Sequence, residues 1–202
     1  MAKWHAYGRC KTRLSKDIGK SRSANVQKKM TRHTISVAKS LEREGLIDIS
    51  LAISGLGLKK SKRWSDELGI KNSNLQGRGC LGERMRRQIL INKKISFTKI
   101  RNIIFIGTDL PDFCHMDLLS TLTKLKKNDL ILGPSNDGGY WLIAFSEKLL
   151  STNLYLPFIN IKWGREDVLK QTISNFSSMD LKHDFLKRKI DIDTIKDIER
   201  RE

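Results

Sequence analysis

The sequence is short of acidic side chains and has no paired cysteines. It contains 22 Asp and Glu residues against 39 Lys and Arg, which gives a formal net charge of +17. Cys10, Cys80 and Cys114 are an odd number of cysteines, form no CxxC pair and have no histidines at metal-ligand spacing. These absences argue against a disulfide scaffold and a zinc site, and they favour a reducing, cytoplasmic location.

Long hydrophobic runs are also missing. The longest apolar runs are of strand length and no signal-peptide pattern opens the sequence, so we expect no membrane span. A protein with this net positive charge can bind nucleic acid, anionic lipid or phosphorylated substrates. The Lys and Arg residues are spread over nearly every predicted element, without aromatic interleaving or a known binding motif. A nucleic-acid partner is therefore the less favoured interpretation.

Predicted helices and strands alternate along the chain. Apolar residues recur at helical spacing from Ser21 or Ser23 to Glu44. The other predicted elements are strands at 47–54, 103–106, 129–133 and 139–145, and helices at 64–68, 82–91, 116–125, 166–176 and after 193. This alternation predicts a single α/β domain over residues 1–202, with a mostly parallel sheet covered on both faces.

One strand ends in a loop that carries carboxylates. Strand 103–106 is followed by the segment Gly-Thr-Asp, and Pro111 prevents the strand from continuing. Ligands of open α/β sheets bind at the carboxyl ends of strands, where Asp109 lies. Carboxylates suit Mg²⁺ or Mn²⁺, so we predict Asp109 as a metal ligand. Asp112 and Asp193 are either further ligands or helix caps.

A basic loop lies near the start of the sequence. From Gly8 to Arg13 it offers backbone amides, two cations and the Thr12 hydroxyl within one turn. Lys11 can act as a point charge on a phosphate, and Arg13 can grip two oxygens at once. The loop predicts a phosphate contact, although it is not a Walker A loop and a solvated basic loop is the alternative.

Two glycine-rich stretches are further candidates. In 133–141, Asp137 is followed by two glycines, which either let a ligand approach the backbone or form a turn between strands. The stretch 76–83 enters a predicted helix at Gly82. The N-terminal amides of that helix could meet an anion, or the stretch is only a loop.

Five stretches together resemble one family. They are GRCKTRL at 8–14, QGRGCLGERM at 76–85, IGTDLPD at 106–112, LGPSNDGGYWLI at 132–143 and DIDT at 191–194. In this order they are similar to the DUF2064 family, a glycosyltransferase-A-like group of the nucleotide-diphospho-sugar transferase superfamily. That superfamily includes molybdenum-cofactor and phospholactate guanylyltransferases. The resemblance runs nearly end to end.

The resemblance implies a three-layer α/β/α Rossmann-like fold that binds a nucleotide or nucleotide sugar with Mg²⁺ or Mn²⁺. Asp109 would take the metal position. The resemblance and the residue patterns together assign three groups of residues. The catalytic group is Lys11, Arg13 and Asp137, and the acceptor-side group is Asp137, Gly138, Gly139 and Tyr140. The group that binds the nucleotide or its phosphates is Gly8, Lys11, Thr12, Arg13, Gly82 and Thr108.

The leading functional expectation is a metal-dependent transferase that moves a sugar from a nucleoside diphosphate sugar to a small-molecule acceptor. The first alternative is a nucleotidyltransferase that couples a nucleoside triphosphate to a small phosphorylated acceptor. The second is a non-catalytic, basic nucleic-acid-binding protein. Fold similarity alone does not decide among them.

The start of the sequence departs from the family pattern. In family members an apolar first strand leads into the basic loop, whereas here only Met1 to Trp4 precede the loop region. We hypothesise that the first strand is truncated because the assigned start is internal. An in-frame stop codon immediately upstream of the start codon would contradict this.

Overall fold

The computed structural model describes residues 1–95, 102–152, 158–177 and 181–199. In chain order its elements are β1 (Ala2–Lys3), α1 (Leu14–Ile18), α2 (Lys20–Arg43), β2 (Ser50–Ser54), α3 (Leu58–Glu67), β3 (Asn72–Leu75), α4 (Leu81–Ile95), β4 (Ile103–Ile106), α5 (His115–Leu125), β5 (Leu130–Pro134), β6 (Tyr140–Phe145), α6 (Glu147–Thr152), α7 (Val168–Ser177), β7 (His183–Phe185) and α8 (Ile195–Glu199).

The chain forms two compact units. The first unit comprises Met1–Leu75, Gly107–His115 and Ile190–Glu202, and the second comprises Gln76–Ile106 and Met116–Lys189. Each unit has its own strands and is described by itself. The expectation of a single domain over residues 1–202 stays a prediction.

The first unit contains a parallel sheet of three strands in the order β1-β2-β3. Long α2 connects β1 to β2, and α3 connects β2 to β3, as parallel pairing requires. The core of this unit includes Leu51 and Ile53 of β2, Ile35 of α2 and Trp64 of α3. The apolar residues of α2 recur at helical spacing because this face packs on the core.

The first strand of the chain is short but present. Ala2 lies opposite Ile53 and Lys3 opposite Ser54, and the Trp4 amide donates to the Ser54 carbonyl at 2.9 Å. Ala2 is fully buried. The basic loop therefore follows directly from a two-residue parallel strand.

The second unit contains a mixed sheet in the order β4-β6-β5-β7. β6 runs antiparallel to both β4 and β5, whereas β5 and β7 are parallel. All five residues of β5 and the last five of β6 are buried. This agrees with continuous apolar runs, since a strand covered on both faces does not alternate between apolar and polar residues.

The predicted fold class is confirmed. Helices and strands alternate, and three of the five strand pairings among the described residues are parallel. The antiparallel exception is β6, which follows β5 through a tight turn without a crossover helix. No helix within the described ranges is long and apolar enough to cross a membrane, as expected.

Several element predictions were incomplete. Strands β3 and β7 and the short helices α1 and α6 were not predicted. The short helix predicted at 64–68 is the end of α3, which begins at Leu58. Helix α5 begins at His115, one residue before its predicted start, and the role of Asp112 as a cap or a metal ligand stays a prediction. Asp112 lies exposed in the preceding turn.

Candidate active site

The first unit brings a buried lysine against two aspartates. The Lys11 ammonium lies 2.9 Å from Asp193 Oδ1 and 3.2 Å from Asp109 Oδ1. The Lys11 side chain is 3% exposed, whereas the side chains of Asp109 and Asp193 are 42% and 44% exposed. We call this cluster the carboxylate–lysine site. It joins three residues that are far apart in sequence and that the sequence analysis assigned to phosphate and metal binding.

The backbone around Lys11 turns sharply. Lys11 has φ +46°, a conformation that a side chain with a Cβ rarely adopts, and Gly8 has φ +69°. The Ser15 amide donates to the Lys11 carbonyl at 2.8 Å, which starts α1. Because Leu14 is buried in the core with Met30 and Ile192, the loop cannot move outward without exposing apolar surface.

Two sets of contacts position Asp193. The Ile192 amide donates to the Asp109 carbonyl at 3.1 Å, which holds the segment before α8 beside the loop that carries Asp109. The Asp197 carboxylate accepts from the amides of Asp193 and Thr194, at 3.0 and 2.7 Å, and from the Thr194 hydroxyl at 2.8 Å. The Asp197 carboxylate thus caps the start of α8, and it fixes the backbone from which the Asp193 side chain projects.

The electrostatics of the site keep Lys11 charged. Burial acts to lower the pKa of Lys11, but the carboxylates of Asp109 and Asp193 outweigh it, so that the pKa lies above its ordinary value. The contact with Asp193 has hydrogen-bond geometry. Asp109 Oδ1, in contrast, is buried and accepts no well-formed hydrogen bond in the described part of the chain, so its contact with Lys11 is an ion pair only.

The other predicted phosphate ligands of the first unit differ in how exposed they are to solvent. Arg13 is exposed, with its Nη1 4.0 Å from Asp193 Oδ2, and Thr12 is exposed on the same loop. Thr108 is buried, and its hydroxyl accepts from Gln27 Nε2 at 3.4 Å. Arg13 is thus placed to reach a solvent-side ligand, whereas the Thr108 hydroxyl contributes to the interior.

The predicted acceptor-side residues form the turn between β5 and β6 in the second unit. Asp137 Oδ1 accepts from the Gly139 amide at 2.9 Å and also from the Ser135 hydroxyl. The carboxylate thereby stabilises the turn, as the alternative interpretation required. Asp137 itself is exposed, and no described residue donates a hydrogen bond to its Oδ2.

Packing within the second unit also accounts for three other predicted site residues, which are Gly138, Tyr140 and Gly82. Gly138 has φ +83°, and a Cβ on it would overlap the backbone of Glu166. Burial raises the pKa of the Tyr140 phenol. A Cβ on Gly82 would lie 2.8 Å from the Trp163 ring, and the Cys80 amide ahead of it is already bonded to Glu83 Oε2 at 2.7 Å. The first turn of α4 therefore satisfies one of its own donors.

Asp109 and Asp193 are the residues of the carboxylate–lysine site that would hold a hard divalent cation. One carboxylate oxygen of each faces the Lys11 ammonium, and the Asp109 oxygen is buried without a well-formed hydrogen bond to any described residue. No group of three or more potential metal-ligating side chains occurs within the described residues. Two carboxylates are nevertheless enough for Mg²⁺, which commonly takes the remaining ligands from water and substrate phosphates.

Residues 37–165 match the model of DUF2064, described as an uncharacterized protein conserved in bacteria. This chain belongs to the DUF2064 family. No curated protein matches it. A structure from Desulfovibrio desulfuricans G20, provisionally assigned as a nucleotide-diphospho-sugar transferase, has a TM-score of 0.81 and 25% identity, covering 98% of this chain and 81% of that one.

A second similar structure is 4-diphosphocytidyl-2C-methyl-D-erythritol synthase from Anaerococcus prevotii DSM 20548. It has a TM-score of 0.55 and 16% identity, and the match covers 83% of this DUF2064 chain and 85% of the other. At this identity the likeness shows a shared fold only.

Sequence reasoning missed how closely Asp193 and Lys11 are associated. Asp193 was a secondary metal candidate because its segment also reads as a helix cap, and Thr194 and Asp197 in fact provide the cap. Lys11 was predicted as a phosphate contact, with a solvated loop as the alternative, and neither interpretation placed it against two carboxylates. The apolar Leu14 and Ile192 beside the two residues were the available signal that both segments pack together.

Proposed function

We propose that this protein is a divalent-metal-dependent glycosyltransferase that takes a sugar from a nucleoside diphosphate sugar. The observation that carries the proposal is the convergence of Asp109 and Asp193 on the buried Lys11 ammonium. The fold shared with the Desulfovibrio protein over 98% of this chain supports the choice of donor.

The charges of the site suit a diphosphate. Bound at Asp109 and Asp193, Mg²⁺ or Mn²⁺ would supply positive charge for the leaving diphosphate. Lys11 contributes a point charge next to that position, and its burial strengthens its field. Arg13 is exposed and presents a planar guanidinium that can hold two phosphate oxygens. In transfer, the bond from the sugar carbon to the diphosphate oxygen breaks and the acceptor oxygen bonds to that carbon.

The acceptor proton needs a base. Asp137 is the predicted acceptor-side carboxylate, and its Oδ1 is held by the Ser135 hydroxyl and the Gly139 amide. These contacts orient the carboxylate and leave Oδ2 to accept the proton. The acceptor oxygen must lose its proton as its bond to the sugar forms, and Asp137 is the residue that we propose for this role.

The assay that tests the function offers nucleoside diphosphate sugars and nucleoside triphosphates separately, each with Mn²⁺ and a metabolite pool. Glycosyl transfer releases a nucleoside diphosphate from the sugar donor and yields a glycosylated acceptor. Release of pyrophosphate from a triphosphate, with no turnover of any sugar donor, would instead establish nucleotidyl transfer and reject the proposal.

The role of Asp137 predicts a specific kinetic effect. We expect Asp137→Asn to lower kcat by about 10²- to 10⁴-fold, because loss of a general base has this effect. The affinity for the donor should be unchanged, since Asp137 is assigned to the acceptor. Steady-state kinetics and calorimetry with donor measure the two quantities. Serine at position 135 contacts the same carboxylate, so Ser135→Ala should cause a smaller decrease; an unchanged kcat in Asp137→Asn would contradict the assignment.

A further inference from the structure

A cavity of about 90 Å³ in the first unit lies apart from the residues of the carboxylate–lysine site. Its lining includes Trp4, which follows β1; Trp64, on α3; and His5, Lys28, Thr31 and Arg32. We call it the indole–cation cavity. It combines apolar ring surfaces with several hydrogen-bond donors, and the proposed transfer uses none of these residues.

The cations of this cavity are not neutralised by acids. Lys28 and Arg32 are one turn apart on α2, and neither forms an ion pair with a described residue. Glu67 also lines the cavity, but its carboxylate is 3.3 Å from Arg63 on the same helix. The cavity thus has an excess of positive charge at close range, which attracts anions.

Two further polar groups of the lining have unused hydrogen-bonding capacity. His5 Nδ1 is buried and has no hydrogen-bond partner among the described residues. The Thr31 hydroxyl accepts from Gln27 Nε2 at 3.3 Å, and no described residue accepts its own proton. A buried polar atom without a partner is destabilising, so a ligand that bonds to these groups offsets that cost.

The ring surfaces give the cavity rigid walls. The Trp4 and Trp64 rings meet edge to face, with centroids 4.9 Å apart, and the His5 ring lies 4.0 Å from that of Trp4. Trp64 is 5% exposed and packs in the core of the first unit. Because these rings are held in place, the donors around them are already arranged before a ligand binds, which lowers the entropic cost of binding.

We propose that the indole–cation cavity binds the phosphoryl group of a small phosphorylated molecule. Lys28 and Arg32 supply the charge, and the Thr31 hydroxyl and the His5 imidazole supply further hydrogen bonds to its oxygens. The cavity has room for one tetrahedral oxyanion and little more. Arg32, Glu67 and Leu68 line both this cavity and a wider cleft, and in this proposal the rest of a phosphate monoester lies in that cleft.

A single nucleic-acid strand fits the same charges less well. In the wider cleft the Lys39 ammonium is bonded to the Leu68 carbonyl at 3.0 Å, and the Arg43 Nε to the Lys39 carbonyl at 3.2 Å. These cations stabilise carbonyls at helix ends and in the helix backbone. Of the two cations without ion-pair partners among the described residues, Lys28 lines only the small cavity and Arg32 lines both spaces, which favours one phosphoryl group over a chain of them.

Tryptophan fluorescence can report binding directly, because two of the four tryptophans line the cavity. Inorganic phosphate and phenyl phosphate are titrated at constant ionic strength, with sodium chloride as compensation. We expect saturable fluorescence changes. Tighter binding of phenyl phosphate would identify a monoester as the ligand, and equal binding would identify free phosphate.

A matched pair of variants locates the site. The Lys28→Gln/Arg32→Gln variant should lose at least tenfold in affinity, because both charges leave the cavity. The control Arg22→Gln/Lys29→Gln removes the same net charge from exposed positions of α2 that do not line the cavity, and it should bind like the wild type. Thermal melting of both variants checks that each is folded.

Three outcomes would overturn the proposal. The first is the absence of a saturable response to either phosphate probe. The second is equal weakening in both double variants, which would show that only the overall charge matters. The third is binding of a single-stranded oligonucleotide alone, with steep salt dependence, which would assign the surface to nucleic acid. A His5 imidazole shift on phosphate addition, seen by NMR and lost in Lys28→Gln/Arg32→Gln, would support the proposal independently.

Discussion

Asp109→Asn is expected to abolish metal-dependent nucleotide binding and to reduce the transfer rate by about 10³-fold, or about 4 kcal/mol, because it removes one of two charged ligands of the proposed metal. The protein should remain folded. Lys11 keeps its 2.9 Å contact with Asp193, so the buried ammonium does not become an isolated charge. Calorimetry with a nucleoside diphosphate, with and without Mn²⁺, measures the binding.

Asp17→Asn is the matched control for this prediction. Asp17 is exposed on α1, and its replacement makes the same chemical and charge change outside the carboxylate–lysine site. It should leave Mn²⁺-dependent binding as in the wild type. Asp112→Asn tests the other metal candidate. If Asp109→Asn binds normally and Asp112→Asn does not, the metal ligand is Asp112 and the assignment to Asp109 is wrong.

The sequence predicted those elements in which the spacing of apolar residues indicates a buried face. Helix α2 shows helical spacing over six turns, and β4 to β6 are nearly continuous apolar runs, so their positions were found within a few residues. Strand β3 was missed because its sequence, Asn-Ser-Asn-Leu, disfavours strands, and only pairing with β2 makes it one. Strand β7 likewise depends on its partner β5.

For the site, sequence patterns could indicate residue types but not partners. The strand end pointed to Asp109 as a metal ligand, which stays a prediction, and the structure places its carboxylate beside Lys11. The contact of Lys11 with Asp193 joins segments 182 residues apart, and no local pattern encodes such a separation. The indole–cation cavity likewise depends on contacts between distant segments, since Trp4, Arg32 and Trp64 belong to three different elements or loops. The sequence alone gives no reason to distinguish Lys28 and Arg32 from solvent-exposed cations. Only the fold places them beside the rings of Trp4 and Trp64.

The largest stability effect is expected from a different lysine. Lys189 forms a buried ion pair with Asp117 of α5 in the second unit, and the two side chains are 8% and 12% exposed. The Lys189 ammonium also lies 5.3 Å from the centroid of the Trp141 ring, and its amide donates to the Pro134 carbonyl at 3.1 Å. This pair therefore ties the segment after β7 to α5 and to the end of β5.

Lys189→Met should lower the free energy of unfolding by about 3–5 kcal/mol, because it removes the counter-charge of a buried carboxylate and fills most of the same volume. For a chain of this size the melting temperature should fall by roughly 6–20 °C. Chemical denaturation and thermal melting measure the two quantities. Lys187→Met is the control, since Lys187 is exposed and its loss should change stability by less than about 0.5 kcal/mol.

The double variant Asp117→Leu/Lys189→Met separates the cost of an unpaired charge from the loss of packing. Replacing a buried ion pair by apolar residues of similar size is often neutral or stabilising, because neither charge then has to be desolvated. We therefore expect the double variant to be more stable than Lys189→Met alone. If it is less stable, Asp117 contributes through contacts other than Lys189; if Lys189→Met itself behaves like Lys187→Met, the ion pair is not a determinant of stability in the second unit.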